Sequence, residues 1–272
     1  AVNTLLMPGE SRAKLTLSDG RVVLLDKMQN DETMIDAGNS FIRRGEGRVT
    51  YVKGSEKSPG KVEYNVMEVP RGGEYVLELC DGTRVWLNAA SELMYPDHFS
   101  ADQRKVVLKG EAYFEVTKDV KRPFSVVLGD MEVKVLGTSF NVSAYPGVKR
   151  QTTLIEGQVA VNWHRQQVVI RPGQQAVETD EGLRVASVNV MNYVGWKEHR
   201  FVYENKLLGE VLEDLERWYD VEVFVMHDEI RNLHLTANLP KYENMDKVLE
   251  IIEYAACVKF EVKGRTVVVR RD

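Results

Sequence analysis

Residues 71–116, RGGEYVLELCDGTRVWLNAASELMYPDHFSADQRKVVLKGEAYFEV, carry the strongest fold signal in the chain. The pair Asp81-Gly82 stands between two runs of alternating apolar residues, which predicts a β-hairpin. A two-residue loop would mix polar and apolar side chains on the faces of that hairpin. A three-residue loop over residues 80–82, with Gly82 in a left-handed conformation, gives one apolar face and is our prediction. It pairs Leu79 with Thr83, Leu77 with Val85 and Tyr75 with Leu87.

A second hairpin of the same form is predicted near the N-terminus, where residues 15–24 place Asp19-Gly20 between apolar segments. Short segments rich in Val, aromatic and β-branched residues then recur between residues 105 and 178, separated by Gly or Pro. Strands at this spacing, without intervening helical periodicity, predict an all-β sandwich or a solenoid-like stack.

The pattern changes in the last third of the chain to strand, helix, strand, strand, helix, strand, strand. The two predicted helices cover residues 206–219 and 245–256, where apolar residues recur at helical spacing. Asn244 is the predicted N-cap of the second helix. We therefore predict a mainly β protein with an all-β domain at residues 1–190 and a small α+β domain at residues 191–272.

Composition excludes several classes of function. The 272-residue chain has a net charge of −5 and no dense basic block, which argues against nucleic-acid binding. Its two cysteines, Cys80 and Cys257, are too few for a disulfide framework and do not identify a compartment. The sequence has no apolar run of about 20 residues, the length of a membrane-spanning helix. Because the chain begins with Ala1, we expect a targeting segment to have preceded it.

The candidate catalytic residues do not form a recognisable centre. Glu111 and Glu115 share one face of a predicted strand about 13 Å apart, whereas the carboxyl pairs of glycosidases lie roughly 5–9.5 Å apart. Asp97-His98 fits a turn that caps its own backbone better than an acid–base couple. The five histidines are scattered and lack zinc-site spacing. We predict no enzymatic activity, no cofactor and no metal. A hydrolase that joins Glu111, Asp97 and His98 is the weakest alternative.

Trp86 lies on the hairpin face opposite the predicted apolar face. It can either pack in a second layer of the core or stay exposed as an anchor for a partner or a sugar. We expect packing, because a layered β fold also covers part of the second face of its sheets. The exposed alternative, together with the many aromatic strand residues, makes a carbohydrate-binding β module the alternative function.

Several motifs, in this order along the chain, strongly resemble the FecR-type family of sigma-factor regulators. They are PRGGEY at 70–75, LCDGTRVWLNAAS at 79–91, LMYP at 93–96, GEAYFEV at 110–116, PF at 123–124, VLGTSFNV at 135–142 and EGQV at 156–159. The last domain, with Trp196, Phe201 and the run RWYDV at 217–221, resembles the companion domain of that family. That companion is similar to the short N-terminal signalling domain of secretins and TonB-dependent receptors.

The resemblance implies the periplasmic sensor part of a transmembrane anti-sigma factor. Family members relay a signal from an outer-membrane TonB-dependent receptor to an extracytoplasmic-function sigma factor. They bind the sigma factor through a short cytoplasmic segment that precedes one membrane span, and both are absent from this chain. The expected partner of residues 1–272 is therefore the periplasmic signalling domain of the receptor, and the expected location is the periplasm, anchored to the inner membrane.

The resemblance and a general mode of recognition together indicate where that partner binds. A partner strand can add to an exposed sheet edge, which supplies backbone hydrogen bonds. Two predicted strands of the α+β domain are the candidates, although the sequence does not indicate which lies at an edge. Their candidate partner-binding residues are Phe201, Val202, Tyr203, Val221, Val223 and Val225.

Overall fold

The structure is a computed structural model of the 272-residue chain. The residues it describes are 6–28, 33–35, 41–45, 48–52 and 62–272.

The chain folds into two compact units. The β unit contains the described residues of 11–70 and 74–190. The α+β unit contains residues 6–10, 71–73 and 191–272. Two short segments that the sequence places in the all-β domain therefore group with the α+β unit.

Up to residue 190 the regular structure of the described chain is β-strand, apart from one short 3-10 helix at Leu25–Lys27. Its strands are β1 (Glu10–Ser11), β2 (Lys14–Thr16), β3 (Val22–Leu24), β4 (Thr33–Ile35), β5 (Phe41–Gly45), β6 (Arg48–Val52), β7 (Tyr64–Val69), β8 (Gly73–Glu78), β9 (Arg84–Leu87), β10 (Ser91–Pro96), β11 (Arg104–Glu115), β12 (Phe124–Leu128), β13 (Met131–Val135), β14 (Ser139–Ala144), β15 (Gln151–Glu156), β16 (Val159–Trp163), β17 (Gln166–Ile170), β18 (Gln174–Thr179) and β19 (Gly182–Ser187).

These strands form two sheets that share β11. In sheet I the neighbours follow the order β3-β2-β7-β10-β11-β12-β13-β16-β17. In sheet II they follow the order β4-β5-β6-β8-β9-β11-β14-β15-β18-β19. Neighbours are antiparallel except for the parallel pairs β11–β12 and β6–β8. The mainly β fold predicted from the sequence is confirmed.

Strand β11 passes from one sheet to the other at Gly110. Lys109 pairs with Glu92 in sheet I, whereas Gly110 pairs with Ala144 in sheet II. Gly110 has a φ of 86°, and a Cβ atom there would lie 2.4 Å from the hydroxyl oxygen of Ser91. Glycine is required because both the backbone conformation and the available space exclude a side chain.

Both predicted hairpins have a three-residue loop. In the central hairpin the Leu79 N–H donates to the Thr83 carbonyl at 2.8 Å, and Gly82 has a φ of 81°. In the N-terminal hairpin the Leu17 N–H donates to the Arg21 carbonyl at 2.9 Å. The predicted register is confirmed, because Leu77 pairs with Val85 and Tyr75 with Leu87.

The inward side chains of both sheets form one hydrophobic core, which the alternation of the strands produces. Near its centre the rings of Phe114 and Phe140 stack with their centroids 5.1 Å apart. The predicted apolar face of the central hairpin belongs to this core: Tyr75, Leu77, Leu79, Val85 and Leu87 are all buried.

The α+β unit has the predicted order of elements after a short helix. These elements are α1 (Met191–Val194), β20 (Arg200–Leu207), α2 (Leu208–Tyr219), β21 (Glu222–Val225), β22 (His234–Pro240), α3 (Met245–Ala256), β23 (Val258–Lys263) and β24 (Thr266–Arg271). Sheet III pairs β20 with β22 antiparallel. Sheet IV has the order β21-β24-β23, in which β21 and β24 are parallel.

The two helices bury one apolar stripe each. Helix α2 begins at Leu208 rather than at Lys206, because β20 continues to Leu207. Helix α3 begins directly after Asn244, but within the described residues the Asn244 side chain forms no capping hydrogen bond. No helix in the described ranges is long and apolar enough to cross a membrane. The buried residues of the helices include Val211, Leu212, Leu215 and Trp218 in α2, and Met245, Val248, Leu249 and Ile252 in α3.

Candidate functional site

The most specific sequence motifs of the β unit build a corner around Glu111. Both oxygens of its carboxylate accept side-chain amide hydrogen bonds at 2.9 Å, one from Asn88 and the other from Asn141. The Ser91 hydroxyl donates to the Glu111 carbonyl at 3.1 Å and accepts from the Glu111 N–H at 2.9 Å. The Tyr145 hydroxyl closes the corner by donating to the Ala89 carbonyl at 2.8 Å. Glu111 therefore links the strands around it through its side chain and its backbone.

The other candidate catalytic residues also have structural partners. The buried Asp97 carboxylate accepts hydrogen bonds from the backbone N–H groups of Glu63 and His98, and it lies 2.9 Å from the His98 ring nitrogen Nδ1. Glu115 pairs with Arg84 at 2.7 Å. Asp97 is therefore a turn-capping residue, as the sequence predicts. No three His, Cys, Asp or Glu side chains cluster as metal ligands within the described ranges.

A buried ion pair locks the central hairpin. Arg104 is fully buried, and its Nη1 donates to the Asp81 carboxylate at 2.7 Å and to the Thr117 carbonyl at 2.8 Å. Its Nε donates to the Arg122 carbonyl at 2.9 Å. Asp81 also accepts from the Thr83 N–H at 3.0 Å. Asp81 therefore forms a buried ion pair with Arg104 in addition to its place in the Asp-Gly turn.

The expectation that Trp86 packs in the core is wrong. Trp86 is half-buried on the outer face of sheet II and is not part of the hydrophobic core. Its ring meets the edge of Tyr113 with a centroid distance of 5.6 Å, and the Arg84 guanidinium lies 5.4 Å from its ring centroid. The alternation of the strand places Trp86 opposite the core, so its neighbours are a cross-strand tyrosine and an arginine.

A cleft of about 540 Å³ lies within the β unit. Leu24, Val69 and Pro146 contribute apolar lining, and the ion pairs Lys14–Glu68 and Lys109–Glu92 lie beside them. None of the described residues that line it is Trp, Tyr or Phe. Because sugar sites generally stack the sugar on an aromatic ring, this cleft does not favour the carbohydrate-binding alternative.

Strand β20 carries three of the candidate partner-binding residues. Phe201 and Tyr203 are buried, and Val202 is half-buried. The segment that contains α1 packs beside this strand, since a Cβ atom on Gly195 would lie 2.8 Å from the Val202 side chain. The side chain of Asn192 donates to Glu204 at 3.3 Å. A partner could therefore reach the outer edge of β20 only by moving residues 191–198.

Strand β21 lies at an edge of sheet IV and carries Val223 and Val225, and the remaining candidate, Val221, directly precedes it. Val221 is buried, and Val223 and Val225 are half-buried. Because the N–H groups of Glu222 and Met226 donate to the neighbouring strand, those of Val223 and Val225 point to the outer edge.

The outer edge of β21 is partly occupied by side chains of its own unit. The Val223 N–H donates to the Glu216 carboxylate at 2.6 Å. The Val221 carbonyl accepts from the Arg71 guanidinium, which also donates to the Glu216 carbonyl at 3.0 Å. A partner strand would contact this edge through its backbone and would meet the Val225 end first.

A cluster of charged side chains, Lys206, Asp214 and Arg217, joins helix α2 to strand β20. Asp214 accepts from Lys206 at 2.7 Å and from Arg217 at 2.6 Å. Burial raises the pKa of Asp214, but the two cations outweigh burial and hold that pKa below its usual value. Burial also raises the pKa of the Tyr203 hydroxyl well above its usual value, and the nearby Asp214 carboxylate adds to the increase. Tyr203 is therefore neutral over the physiological range and acts as a core residue.

A fully buried lysine lies between two tryptophan rings. The ammonium nitrogen of Lys241 is 3.9 Å from the Trp218 ring centroid and 5.3 Å from that of Trp196, which stabilises its charge by cation–π contact. The Trp218 ring nitrogen donates to the Lys241 carbonyl at 2.6 Å. The family resemblance included Trp196 and Trp218, but nothing in the sequence indicated the lysine between them.

Residues 6–10 lie against Trp218 and the start of α3. The Leu6 carbonyl accepts from the Met245 N–H at 3.1 Å, and this contact caps α3 in place of the Asn244 side chain. A Cβ atom on Gly9 would lie 2.6 Å from the Trp218 ring. We call residues 6–10 the strap. Nothing in the local sequence of the strap predicts this contact, because its partners are more than 200 residues away.

Comparisons with known proteins agree with this architecture. A family model described as "FecR protein" matches residues 65–160, and one described as "FecR, C-terminal" matches residues 200–269. Two crystal structures of a candidate anti-sigma factor from Parabacteroides distasonis ATCC 8503, at 2.50 Å and 1.65 Å resolution, are each 26% identical to the chain. Their TM-scores are 0.72 and 0.71, and the alignments cover 77% and 76% of this chain and 99% of each structure. No curated protein matches the chain.

Proposed function

Because the chain belongs to the FecR family of anti-sigma factors, we propose that it is the signal-receiving part of such a factor. In this proposal the chain lies in the periplasm and receives a signal from an outer-membrane TonB-dependent receptor. It passes that signal to an extracytoplasmic-function sigma factor. Contact with the sigma factor belongs to a cytoplasmic segment outside residues 1–272, connected through a membrane span.

One observation carries the proposal. Both parts of the chain match the family, and they do so in the order of the β unit and then the α+β unit. The candidate anti-sigma factor of known structure aligns over nearly its whole length. The side chains that resembled catalytic groups, Glu111, Asp97 and Glu115, have structural hydrogen bonds or ion pairs. These contacts support a binding role for the chain in preference to catalysis.

We place the receptor contact on the α+β unit, at the outer edge of β21. The backbone N–H of Val225 points to that edge, whereas the edge of β20 lies under residues 191–198. An added strand from the receptor domain would extend sheet IV and gain backbone hydrogen bonds. The side chains of Phe201, Tyr203 and Val221 contribute indirectly, because they are buried and hold the two strands in place.

The test is calorimetric titration of residues 1–272 with the N-terminal signalling domains of TonB-dependent receptors from the same organism. We expect saturable binding. The Val225→Pro variant removes an outer-edge donor without touching the ladder to β24, and we expect about a tenfold loss of affinity.

The matched control is Val202→Pro, which alters the corresponding position of β20. It should leave the affinity for the receptor domain near that of the wild type if β21 is the docking strand. No detectable association between the two folded proteins would refute the proposed function. Equal loss in both proline variants would refute the assignment to β21.

A further inference from the structure

Three segments that are remote in sequence meet at the C-terminal end of helix α2. They are the strap, residues 71–73 and the helix itself, and all three belong to the α+β unit. The Gly72 N–H donates to the Arg217 carbonyl at 2.8 Å, and the Gly72 carbonyl accepts from the Glu10 N–H at 3.1 Å. Residues 71–73 therefore connect the strap to helix α2 through backbone hydrogen bonds, and we call them the bridge.

The side chain of Arg71 extends the bridge to the outer edge of β21. Its Nη2 donates to the Glu216 carbonyl at 3.0 Å and to the Val221 carbonyl. Its Nε lies 3.2 Å from the Asp220 carboxylate. Glu216 lies in the last turn of α2, and Val221 directly precedes β21. One side chain thus attaches the bridge both to the end of the helix and to the start of the strand.

The Val221 carbonyl points to the outer edge of β21. In the parallel pairing of β21 with β24, the N–H groups of Glu222 and Met226 donate to β24. The odd-numbered residues therefore direct their backbone groups outward. A strand that pairs along the whole edge would need the position that the Arg71 guanidinium occupies at the Val221 carbonyl. The Arg71 side chain is 41% exposed, so it can turn into solvent when a strand displaces it.

The strap is held at both ends by backbone hydrogen bonds. At its start the Leu6 carbonyl accepts from the Met245 N–H at 3.1 Å, and at its end the Glu10 N–H donates to the bridge. Between these two points Gly9 packs against the ring of Trp218 in α2. A shift of the bridge away from α2 would therefore remove the support at the Glu10 end and change the packing on Trp218.

We infer that Arg71 couples the outer edge of β21 to the strap. A partner strand at this edge replaces Arg71 at the Val221 carbonyl. The bridge then loses the contacts of Arg71 with Glu216 and Asp220, and the strap loosens. The inference rests on the proposed function, in which the receptor domain supplies the strand. It gives the route by which docking reaches residues 6–10, the described segment nearest to the proposed membrane span.

Arg265 offers a matched control at the same end of α2. Its Nη2 donates to the Tyr219 carbonyl at 3.0 Å, and its Nε donates to the Asp220 carbonyl at 2.7 Å. It also pairs with the second oxygen of the Asp220 carboxylate at 2.7 Å. Like Arg71, it contacts two backbone carbonyls and Asp220, but it comes from the turn between β23 and β24 and not from the bridge.

The first test needs no partner and measures amide hydrogen exchange by NMR in residues 1–272. In Arg71→Ala, exchange should quicken by about tenfold at the Glu10 and Met245 amides, the two donors that hold the strap. Arg265→Ala should leave both rates at their wild-type values. The Leu208 amide, which is hydrogen-bonded at the other end of α2, should stay equally protected in all three proteins if the unit is folded.

The variant Arg71→Lys decides the test if Arg71→Ala does not fold. Lysine keeps a cation beside Asp220 but lacks the forked donors of arginine. Exchange at the Glu10 and Met245 amides should therefore quicken in Arg71→Lys, by less than in a folded Arg71→Ala protein.

The second test adds the receptor signalling domain at saturating concentration to the wild type. It should quicken exchange at the Glu10 and Met245 amides, as Arg71→Ala does. Because coupling between two sites is reciprocal, Arg71→Ala should bind the receptor domain about threefold to tenfold more tightly than the wild type. Arg265→Ala should bind with the affinity of the wild type.

Each outcome separates the inference from the proposed function. Unchanged exchange at Glu10 and Met245 in the folded Arg71 variants, or an equal increase in Arg265→Ala, would overturn the inference. A receptor domain that binds without quickening exchange at these two amides would also overturn it and would leave the proposed function intact. Absence of receptor binding, together with the expected effect of Arg71→Ala, would refute the proposed function and retain the coupling within the α+β unit.

Discussion

The carboxylate of Glu216 accepts a hydrogen bond from the backbone N–H of Val223, seven residues later in the chain, at 2.6 Å. Glu253 makes the same contact with Phe260, also seven residues later, at 2.7 Å. In each case a left-handed residue ends the helix between them, Asp220 after α2 and Cys257 after α3. The two halves of the α+β unit thus share one arrangement, in which a glutamate of the last helical turn accepts a hydrogen bond from the edge of the following strand. Such protection limits unwanted pairing along an exposed edge.

The Glu216→Ala variant should expose the edge of β21. It removes a charged acceptor from a backbone donor, so we expect a loss of about 1–2 kcal/mol in the free energy of unfolding. Hydrogen exchange should quicken at the Val223 amide, and NMR exchange rates measure this directly. The Glu216→Gln variant keeps an acceptor and should lie between the wild type and Glu216→Ala. Unchanged exchange at Val223 in the alanine variant would show that the contact does not protect the edge.

The Glu253 contact should make the other edge sensitive to acid. The hydrogen bond from the Phe260 N–H is the largest influence that holds the pKa of Glu253 below its usual value of 4.5. A depressed folded-state pKa means that the contact stabilises the fold fully above pH 4.5 and that this stability is lost as the pH falls through the lowered pKa. We expect protection of the Phe260 amide to fall only below pH 4.5.

An NMR pH titration of the Phe260 amide measures this effect. Glu253→Gln should abolish the pH dependence, whereas Glu250→Gln, on an exposed position of α3, should leave it intact. A transition above pH 4.5, or one that persists in Glu253→Gln, would contradict the assignment.

Removal of Arg104 should strongly destabilise the β unit. Arg104→Ala leaves Asp81 as an uncompensated charge beside a buried cavity, and breaking a buried pair in this way costs about 3–5 kcal/mol. Urea unfolding followed by fluorescence measures the change. The control is Arg84→Ala, which breaks the more exposed pair with Glu115 and should cost less than about 1 kcal/mol. Similar losses in the two variants would argue against a special role for the buried pair.

A side chain at Gly9 should displace the strap from Trp218. In Gly9→Val the Cβ atom would lie 2.6 Å from the indole ring, and overpacking of this kind costs roughly 1–3 kcal/mol. We expect a change in tryptophan fluorescence and faster proteolysis within residues 6–10. Met7→Ala alters an exposed position of the strap and should behave like the wild type. A Gly9→Val protein with wild-type stability and fluorescence would show that the strap adapts without cost.

The local sequence predicted the strand geometry of the β unit better than it predicted which surfaces are covered or exposed. The alternation around Asp81-Gly82 predicted the loop length, the register and the buried face, because a shift by one residue would turn apolar side chains into water. It did not predict the environment of Trp86, since alternation assigns a residue to a face but does not indicate what covers that face. The cross-strand neighbour Tyr113 and Arg84, two residues earlier on the same strand, supply that cover.

In the α+β unit, helical periodicity and strand propensity determined the order of the elements, and the family motifs determined the class of protein. Only the tertiary structure decided which strands lie at edges, that Lys241 is buried between Trp196 and Trp218, and that Leu6 caps α3. The physical reason is distance along the chain. Periodicity reports on neighbours within a turn or a strand, whereas edges, buried charges and caps from remote segments depend on contacts between residues far apart in sequence.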